Sequence, residues 1–465
     1  MLKGFGMAKI VFTLACMVLL ARIMYLLLNP SVLSWDATIY IGMARYIESL
    51  GVLGLWEGYR PPLLPLLYVP GVMLGIPITF AILLTIAASF GALYMAYRVG
   101  EYYRPSAGAW ASMTLATATL FTTFSTIPTT EVFGVLGFLV AWYTVFIKRS
   151  YFLGGVVTAL LFILRFPYGL LLPLFGVAML VQSWVETTTL GTVYKRELKL
   201  AVGAVGVIGV YLVSNFILYG HALVPILEGA RVARDVGFLY LENPLFYVTI
   251  ILAGVPLALF GVVAFFDRTP GLKPVRYILL SIAAVFFAYF TYESHKEARY
   301  IIPVVAPVAL LAGLGISYIV SLLHSEKARI FFFVSMTALI GGSFVALLFI
   351  PIGFMKDPVL ENYYKSFRSS PGVTILSSTP AITAFAPVKI IGVYTTMDEY
   401  LRMFTEERSH IDRVYLNSCD LVQCQASGNC TVETVELLDT LAPVVNFTTI
   451  ANHGMCQIVV GEVRK

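Results

Sequence analysis

Long apolar stretches recur along this chain, and they constrain its fold more than any other feature. A helix that crosses the hydrocarbon core of a bilayer needs about 20 mostly apolar residues. Segments that approach or reach this length are 10–28, 79–97, 107–124, 131–147, 151–164, 168–184, 200–218, 245–266, 277–292, 301–322 and 330–350. Only 12% of the residues are charged, about half the fraction in soluble domains. The sequence therefore predicts an α-helical polytopic membrane protein with about 11 transmembrane helices.

Basic residues in the short loops predict how these spans are oriented. Cytoplasmic loops are enriched in Lys and Arg. With the N-terminus inside, the cytoplasmic side collects Lys3, Lys9, Arg98, Arg104, Lys148, Arg149, Lys195, Arg196, Lys199, Arg268, Lys273, Arg276, Lys327 and Arg329. An odd number of spans then places the C-terminal segment on the other side. We expect a multi-pass protein of the cell membrane with a cytoplasmic N-terminus and an extracytoplasmic C-terminal domain.

The polar C-terminal segment predicts a second domain, so that residues 1–355 form a membrane domain and 356–465 a soluble one. Short β-like runs alternate with polar helical stretches in this segment, which indicates a small α/β domain. The β-like runs are 373–377, 388–393 and 458–460, and the helical stretches are 396–404 and 432–439.

Four of the five cysteines lie in this segment: Cys419, Cys424, Cys430 and Cys456. Clustered cysteines in a polar segment suggest two disulfides and an oxidising compartment. A zinc site is the alternative, although the spacings match no ordinary zinc pattern. The spacing leaves the disulfide connectivity open.

Two carboxylates stand at predicted non-cytoplasmic ends of spans. Asp36, in the string WDATIY, follows the first span and opens a predicted amphipathic helix. It is a candidate general base, and the alternative is a first-turn carboxylate favoured by the helix dipole. Glu131, in TTE, begins a long apolar span, where a carboxylate is not expected to face lipid. Simple helix capping is the alternative for Glu131.

The most distinctive motif is YESHKEARY, residues 292–300, which holds five titratable residues within seven positions. If it is helical, His295 and Arg299 share one face, as do Lys296 and Tyr300. The cluster lies on the side where basic residues are uncommon, so a bound anion is a reasonable interpretation, and a solvated loop is the alternative. Arg60, before two prolines in YRPPLLPLL, is a further candidate contact for a lipid phosphate, or part of a structural turn.

The motifs that this sequence lacks argue against some classes of function. The sequence has no Walker loop, no Rossmann glycine pattern and no HExxH motif, which argues against nucleotide-driven chemistry. Basic runs are short, so a nucleic-acid partner is not expected. No cofactor is required by these residues, and a divalent metal is compatible with them but not demanded.

Taken together, these residues resemble the GT-C glycosyltransferases, integral membrane enzymes that use polyprenyl-phosphate-linked sugars. The resemblance covers residues 10–325 and rests on Asp36 in WDATIY, the broken segment YRPPLLPLL, Glu131 in TTE and the string HKEARYIIPVVAP. That string is similar to a motif of dolichyl-phosphate-mannose-dependent mannosyltransferases. The spacing from Asp36 to Tyr40 and the RPP turn look more like protein O-mannosyltransferases and aminoarabinose transferases.

The resemblance implies transfer of a sugar from a polyprenyl or dolichyl phosphate to a lipid-linked glycan, lipid or protein hydroxyl. The similarity of the HKEARY motif implies that this sugar is mannose. It implies inversion at the anomeric carbon, with membrane lipid around the enzyme. Asp36 would act as the general base, and Glu131 would orient the acceptor or hold a cation. The phosphate would be bound by His295, Lys296, Arg299 and Arg60. Candidate substrate contacts are Tyr40, Glu297, Tyr300, Arg165, Arg231 and Arg234.

Two other classes of function are weighed against this one. A secondary transporter places ionisable residues near the bilayer midplane in repeated, broken helices, whereas these charges lie at the ends of spans and no repeat is visible. A non-enzymatic assembly protein would use the C-terminal domain to bind a partner, but it leaves the HKEARY motif unexplained.

Overall fold

The computed structural model describes residues 2–28, 33–187, 189–235, 243, 245–269, 271–293, 296–349, 358–369, 371–427, 430–453 and 456–464. The chain divides into two compact units. The first unit comprises Met1–Pro30, Tyr59–Leu63 and Ile82–Gly353, and the second comprises Ser31–Gly58, Leu64–Ala81 and Phe354–Lys465. The second unit thus adds two segments of the N-terminal half to the predicted C-terminal domain.

In chain order the helices are α1 Leu2–Leu28, α2 Trp35–Glu48, α3 Leu63–Met73, α4 Pro77–Tyr103, α5 Ala107–Thr117, α6 Thr119–Phe124, α7 Thr130–Trp142, α8 Tyr151–Leu164, α9 Leu171–Val185, α10 Leu190–Tyr219, α11 Val224–Asp235, α12 Phe246–Gly254, α13 Phe260–Val263, α14 Leu272–Tyr292, α15 Ile302–Leu322, α16 Glu326–Phe349, α17 Pro358–Ser366, α18 Ile382–Phe385, α19 Met397–Glu407, α20 Val422–Ser427 and α21 Thr431–Leu441. The strands are β1 Thr374–Ser377, β2 Lys389–Gly392, β3 Arg413–Asn417, β4 Val445–His453 and β5 Cys456–Val463.

In the described part of the chain, eight helices are long and apolar enough to cross a membrane: Gly6–Leu28, Pro77–Tyr103, Thr130–Ile147, Phe166–Val185, Leu190–Tyr219, Leu272–Tyr292, Ala298–Leu322 and Glu326–Val345. They correspond to eight of the eleven predicted spans, which confirms a polytopic helical membrane protein. The other three predicted spans differ. Segment 107–124 is divided into α5 and α6, segment 245–266 into α12, α13 and a 3-10 turn, and segment 151–164 is one 14-residue helix.

A buried arginine bridges the break between α5 and α6. Ala118 is extended at this break, with φ −67° and ψ 110°. Arg22 of α1 is fully buried and donates to the Ala116 carbonyl at 3.2 Å, the Thr119 hydroxyl at 3.1 Å and the Ser343 carbonyl at 3.1 Å. Its partners are therefore neutral oxygens on α5, α6 and α16, which it joins to α1.

The second unit is built on a five-stranded sheet in the order β2-β1-β3-β5-β4. Strands β2, β1 and β3 are parallel, and β5 pairs antiparallel with β3 and β4. A small α/β domain is thus confirmed, and β3 and β4 are strands that the sequence did not predict. Cys424 and Cys430 form a disulfide, and Cys419 is also disulfide-bonded.

The loop segment 33–58, which follows α1 and contains α2, packs on this sheet domain as part of the same unit. Gly54, at φ +81°, donates to the Val388 carbonyl at 2.7 Å and accepts from the Ile390 amide at 2.8 Å. Arg45 of α2 donates from Nε to the Thr383 carbonyl of α18 at 2.6 Å. One apolar cluster joins the two parts, with Ile39, Met43 and Leu55 from the loop against residues such as Ile375, Ile382 and Tyr415. The segment that carries Asp36 is therefore held by residues more than 300 positions later in the chain.

A polar group is buried at the carboxyl ends of β1 and β3. Asp420 accepts hydrogen bonds from the side chains of Asn417 and Ser378, while its Oδ2 is buried without a partner among the described residues. Burial outweighs these two hydrogen bonds and raises the pKa of Asp420 to about 8. The folded domain therefore favours the protonated carboxyl group.

Arg22 offers a test of how the helix break is held. In Arg22→Lys the charge remains buried, but one nitrogen cannot reach three oxygens on three helices. Hydrogen bonds from a charged donor contribute about 1.5–3 kcal/mol each. We expect Arg22→Lys to lower the midpoint of thermal unfolding in detergent more than Arg22→Met, which removes the charge as well. A lysine variant as stable as the wild type would contradict this role.

Asp420 gives the second unit a predicted pH dependence. As pH rises from about 4 to about 8, the unfolded chain loses the Asp420 proton while the folded domain keeps it. The free energy of unfolding therefore falls across this window and levels off above it. Asp420→Asn does not titrate, so it should remove this fall. The measurement is amide hydrogen exchange in β1 and β3 at pH 5 and pH 8, corrected for intrinsic exchange; equal pH dependence in variant and wild type would refute it.

Candidate active site

The first unit contains a buried ion pair between Glu131 and Arg165. Glu131 lies in the first turn of α7, where the helix dipole favours a carboxylate. Arg165 follows α8 in extended conformation, because Pro167 cannot donate a hydrogen bond that would continue the helix. Arg165 Nη1 donates to Glu131 Oε1 at 3.3 Å, and the side chains are 15% and 3% exposed. The pair therefore joins the start of α7 to the end of α8.

The surroundings of this pair keep Arg165 charged and leave one carboxylate oxygen available. Burial opposes the charge, but Glu131 and the phenol groups of Tyr300 and Tyr168 outweigh it, so the pKa of Arg165 is raised. Glu131 Oε2 is buried and has no hydrogen-bond partner among the described residues. An unsatisfied buried acceptor costs about 1–3 kcal/mol. A hydroxyl group or a cation that reached Oε2 would relieve this cost.

Tyr300 lies between two guanidinium groups. The Arg165 guanidinium carbon is 4.8 Å from the centre of the Tyr300 ring, and that of Arg299 is 5.5 Å from it. Phe290 stacks on Tyr300 with ring centres 5.9 Å apart. Aromatic faces attract cations at these distances. The rings thus hold two positive charges close together in a partly buried setting.

Arg299 and Lys296 of the HKEARY motif differ in how far their charge is neutralised by a partner. Arg299 forms a two-point ion pair with Glu297, with N–O distances of 2.6 and 2.7 Å. Lys296 donates from Nζ to the Glu293 backbone carbonyl at 2.9 Å and forms no ion pair with a described residue. Lys296 is therefore the cation of this group whose charge is least compensated.

The motif is not an α-helix, so the helical arrangement considered for it is wrong. Helix α14 ends at Tyr292, and the described residues resume as an extended segment and a 3-10 turn, Ala298–Ile301. Pro303 occupies the start of α15, where proline is favoured because its missing N–H is not needed. Lys296 and Tyr300 thus do not share a helical face, and Tyr300 faces Arg165 instead. His295 lies outside the described residues.

Two tyrosines of the first unit were not selected from the sequence. Tyr168 and Tyr247 are buried, and the Tyr168 hydroxyl group has no hydrogen-bond partner among the described residues. Tyr168 packs against α7 so closely that a Cβ atom at Gly134 would lie 1.9 Å from its hydroxyl oxygen. The sequence signal was weak: Tyr168 directly follows Pro167, and Tyr247 lies three residues after Pro244. Both are candidate polar contacts for a substrate.

The other predicted arginines of the first unit are Arg60, Arg231 and Arg234, and their contacts lie on Tyr59 and on α11. The Arg60 guanidinium lies 5.6 Å from the Tyr59 ring centre, and a Cβ on Gly229 of α11 would lie 3.4 Å from the Tyr59 carbonyl oxygen. Arg231 and Arg234 are exposed on α11, where Arg231 pairs with Glu228 of the same helix at 2.8 Å. The segment with Arg60 therefore meets α11, but the contacts of Arg231 are local.

Asp36 and Tyr40 belong to the second unit. Asp36 is half-buried in the first turn of α2, whose N-cap Ser34 accepts a hydrogen bond from the Ala37 amide at 3.3 Å. The neighbouring Trp35 packs edge-on against Tyr394, with ring centres 5.0 Å apart. Tyr40 is buried, at 6% exposure. Asp36 thus stands at the start of a helix that the sheet domain fixes in place.

The site residues fall into two groups. Glu131, Arg165, Lys296, Glu297, Arg299 and Tyr300 come together in the first unit, and Asp36 and Tyr40 lie in the second. The first group has chemistry for binding an anion and a hydroxyl group. Among the residues that the structure describes, no group of three or more His, Cys, Asp or Glu side chains could hold a metal ion.

The chain is similar to known proteins at the level of structure. Neither a protein-family model nor a curated protein matches the sequence. ArnT from Cupriavidus metallidurans bound to undecaprenyl phosphate is similar with a TM-score of 0.65 and 13% identity, covering 98% of each chain. The apo state of that protein gives a TM-score of 0.64 at the same identity and coverage.

An oligosaccharyltransferase from Archaeoglobus fulgidus, tethered to an acceptor peptide with an NVT sequon, is also similar. Its TM-score is 0.57 at 13% identity, covering 88% of this chain and 69% of that one. At such low identity these likenesses establish the fold alone. The chain therefore has a GT-C-like membrane fold with a small C-terminal α/β domain.

Proposed function

We propose that this protein is a membrane glycosyltransferase that moves a sugar from a polyprenyl or dolichyl phosphate to a hydroxyl acceptor on the extracytoplasmic side. The observation that carries the proposal is the likeness over 98% of both chains to ArnT bound to undecaprenyl phosphate. The HKEARY motif favours mannose as the sugar. The acceptor is a lipid-linked glycan, a lipid or a protein hydroxyl group.

The chemistry is a single displacement at the anomeric carbon. The acceptor oxygen attacks that carbon, the bond to the phosphate oxygen breaks, and its electron pair leaves with the polyprenyl phosphate. The acceptor proton passes to Asp36, and attack from the face opposite the phosphate inverts the configuration. A positioned general base contributes roughly 10²- to 10⁴-fold in rate.

The cations of the first unit suit the leaving phosphate. Arg299 and Lys296 are the main phosphate contacts in this proposal, with His295 and Arg60 as further candidates. Charge-assisted hydrogen bonds from arginine to phosphate are strong and often two-pointed. Arg165 contacts Glu131 and Tyr300, so its role in this proposal is to position Glu131 and not to bind the phosphate. Glu131 Oε2 is the candidate acceptor for a substrate hydroxyl.

Asp36→Asn is the decisive test of the general base. With a radiolabelled mannosyl phosphate of dolichol or undecaprenol and the full-length protein in membranes, we expect the transfer rate to fall at least 100-fold, because the amide cannot accept the proton. The label should move from the polyprenyl donor to lipid- or protein-bound product. Undiminished transfer by the variant would remove Asp36 from the mechanism.

Asp398→Asn provides the matched control for this test. Asp398 is exposed in the first turn of α19, as Asp36 stands in the first turn of α2. Both substitutions remove a first-turn carboxylate and its dipole interaction, which is worth about 0.3–1 kcal/mol. A similar loss of transfer in both variants would mean that the effect is structural.

The Glu131–Arg165 pair can be separated into structural and functional roles. Breaking a buried pair costs about 3–5 kcal/mol because one charge remains unpaired. We expect Glu131→Gln and Arg165→Gln each to lower the thermal midpoint, and the double variant to regain much of that stability. Transfer should stay at least tenfold reduced in the double variant. Recovery of both stability and transfer would assign the pair a purely structural role.

A further inference from the structure

A polar cleft lies at the opposite end of α7 from Glu131. Its lining is Val145, Phe146, Arg149, Tyr151, Met179, Gln182, Ser183 and Arg196, and the space among them, which includes open solvent, is about 230 Å³. Residues Thr130–Ile147 form one continuous helical run, about 27 Å long at 1.5 Å per residue. The cleft is thus separated from the proposed sugar-transfer residues of the first unit by roughly a membrane thickness.

The backbone is unusual where it forms the cleft. Helix α7 passes into a π-helix, Tyr143–Ile147, and Arg149 follows with φ +54°. The left-handed region costs an ordinary residue about 1–2 kcal/mol. Hydrogen bonds from Lys148 N to Tyr143 O at 2.8 Å and from Ser150 N to Thr144 O at 2.9 Å hold this conformation. Such π-bulges and strained residues are common at functional sites.

Two guanidinium groups share one carboxylate here. Arg149 Nη2 donates to Glu186 Oε1 at 3.0 Å, an oxygen that also accepts from Gln182 Nε2 at 2.9 Å. Arg196 is 3.8 Å from Glu186 Oε2, and its one hydrogen bond to a described residue, to the Ser183 hydroxyl, is long at 3.4 Å. The group therefore carries excess positive charge, and most N–H donors of Arg196 make no hydrogen bond to a residue in the described part of the chain.

Aromatic side chains place the cleft at a membrane boundary. Trp184, next to the cleft residue Ser183, is 84% exposed, and Tyr194, two residues before Arg196 in α10, is 68% exposed. Trp and Tyr concentrate where helices meet the headgroup region. On this part of α10 the basic residues Lys195, Arg196 and Lys199 outnumber the one carboxylate, Glu197, so the net charge is positive. The cleft thus opens at the depth of lipid headgroups rather than among acyl chains.

We propose that this cleft binds the phosphate of an anionic membrane lipid, with Arg149 and Arg196 as its ligands. A phosphate oxygen can accept from the unused donors of Arg196 while Arg149 keeps its contact with Glu186. Arginine suits phosphate because its planar fork offers parallel donors. Basic pockets between transmembrane helices bind lipid headgroups in this way. The site is independent of the sugar-transfer residues and requires none of them.

The test uses the full-length protein, stripped of lipid in a neutral detergent, and native mass spectrometry. Phosphatidylglycerol, phosphatidylcholine and inorganic phosphate are titrated separately against the wild type and against Arg149→Gln/Arg196→Gln. The control is Arg402→Gln/Arg408→Gln, which removes two exposed arginines of the second unit and changes the net charge equally. We expect the cleft variant to bind phosphatidylglycerol at least tenfold more weakly, and the control to bind as the wild type does.

The three titrations distinguish the source of the phosphate. Preference for phosphatidylglycerol supports a lipid headgroup. Binding of inorganic phosphate with equal affinity, lost in the cleft variant, would replace the lipid by a free anion. If the cleft variant binds each ligand with the same affinity as the wild type does, the proposed site is wrong. If the glutamine variant does not fold, Arg149→Lys/Arg196→Lys keeps the charge, and unchanged affinity in that variant would overturn the proposed two-pointed arginine contact.

Discussion

A charged side chain between apolar helices must find its partners inside the protein, and much of the first unit is arranged around this constraint. Arg22 meets it with oxygens exposed at the break between α5 and α6. Arg165 meets it with the Glu131 carboxylate and the Tyr300 ring. Arg104 meets it by pairing with Asp267. Each solution joins separate segments of the first unit, so these charged residues also hold those segments together.

Two buried or partly buried polar groups meet this constraint only in part, and both are candidate ligand contacts. Glu131 Oε2 is buried without a donor, and Arg196 has one long hydrogen bond among the described residues. An unused buried donor or acceptor weakens the fold, and a ligand that reaches it removes this cost. The two positions stand at opposite ends of one helical run, where a substrate and a lipid respectively can supply what the protein does not.

The sequence predicted most spans because length and hydropathy alone determine whether a helix can cross a bilayer. It failed at 107–124 because the break at Ala118 contains neither Gly nor Pro, and its support comes from Arg22, almost 100 residues earlier. Strand β3 was missed because RVYLN is flanked by polar residues and gains its place only by pairing with β1 and β5.

The sequence supplied candidate site residues one by one, but not their arrangement. The motif at 292–300 pointed to Lys296 and Arg299 as candidates, yet the partner of Arg165 follows from where α8 ends against α7, which no local pattern encodes. The position of Asp36 depends in the same way on a distant domain, through Arg45 and Thr383. Truncating that domain would remove the surface against which α2 packs, so the position of Asp36 depends on the sheet domain.

Charge balance in the cluster bears on how the proposed transfer would proceed. Among the described residues, Arg165, Lys296 and Arg299 are opposed by Glu131, Glu293 and Glu297. A polyprenyl-phosphate sugar carries one negative charge, and the departing phosphate monoester gains up to one more. A group that interacts more strongly with the second state than with the first lowers the barrier. Lys296, whose partner is a neutral carbonyl, is the cation with charge to spare for that change, whereas Arg299 must first share its contact with Glu297.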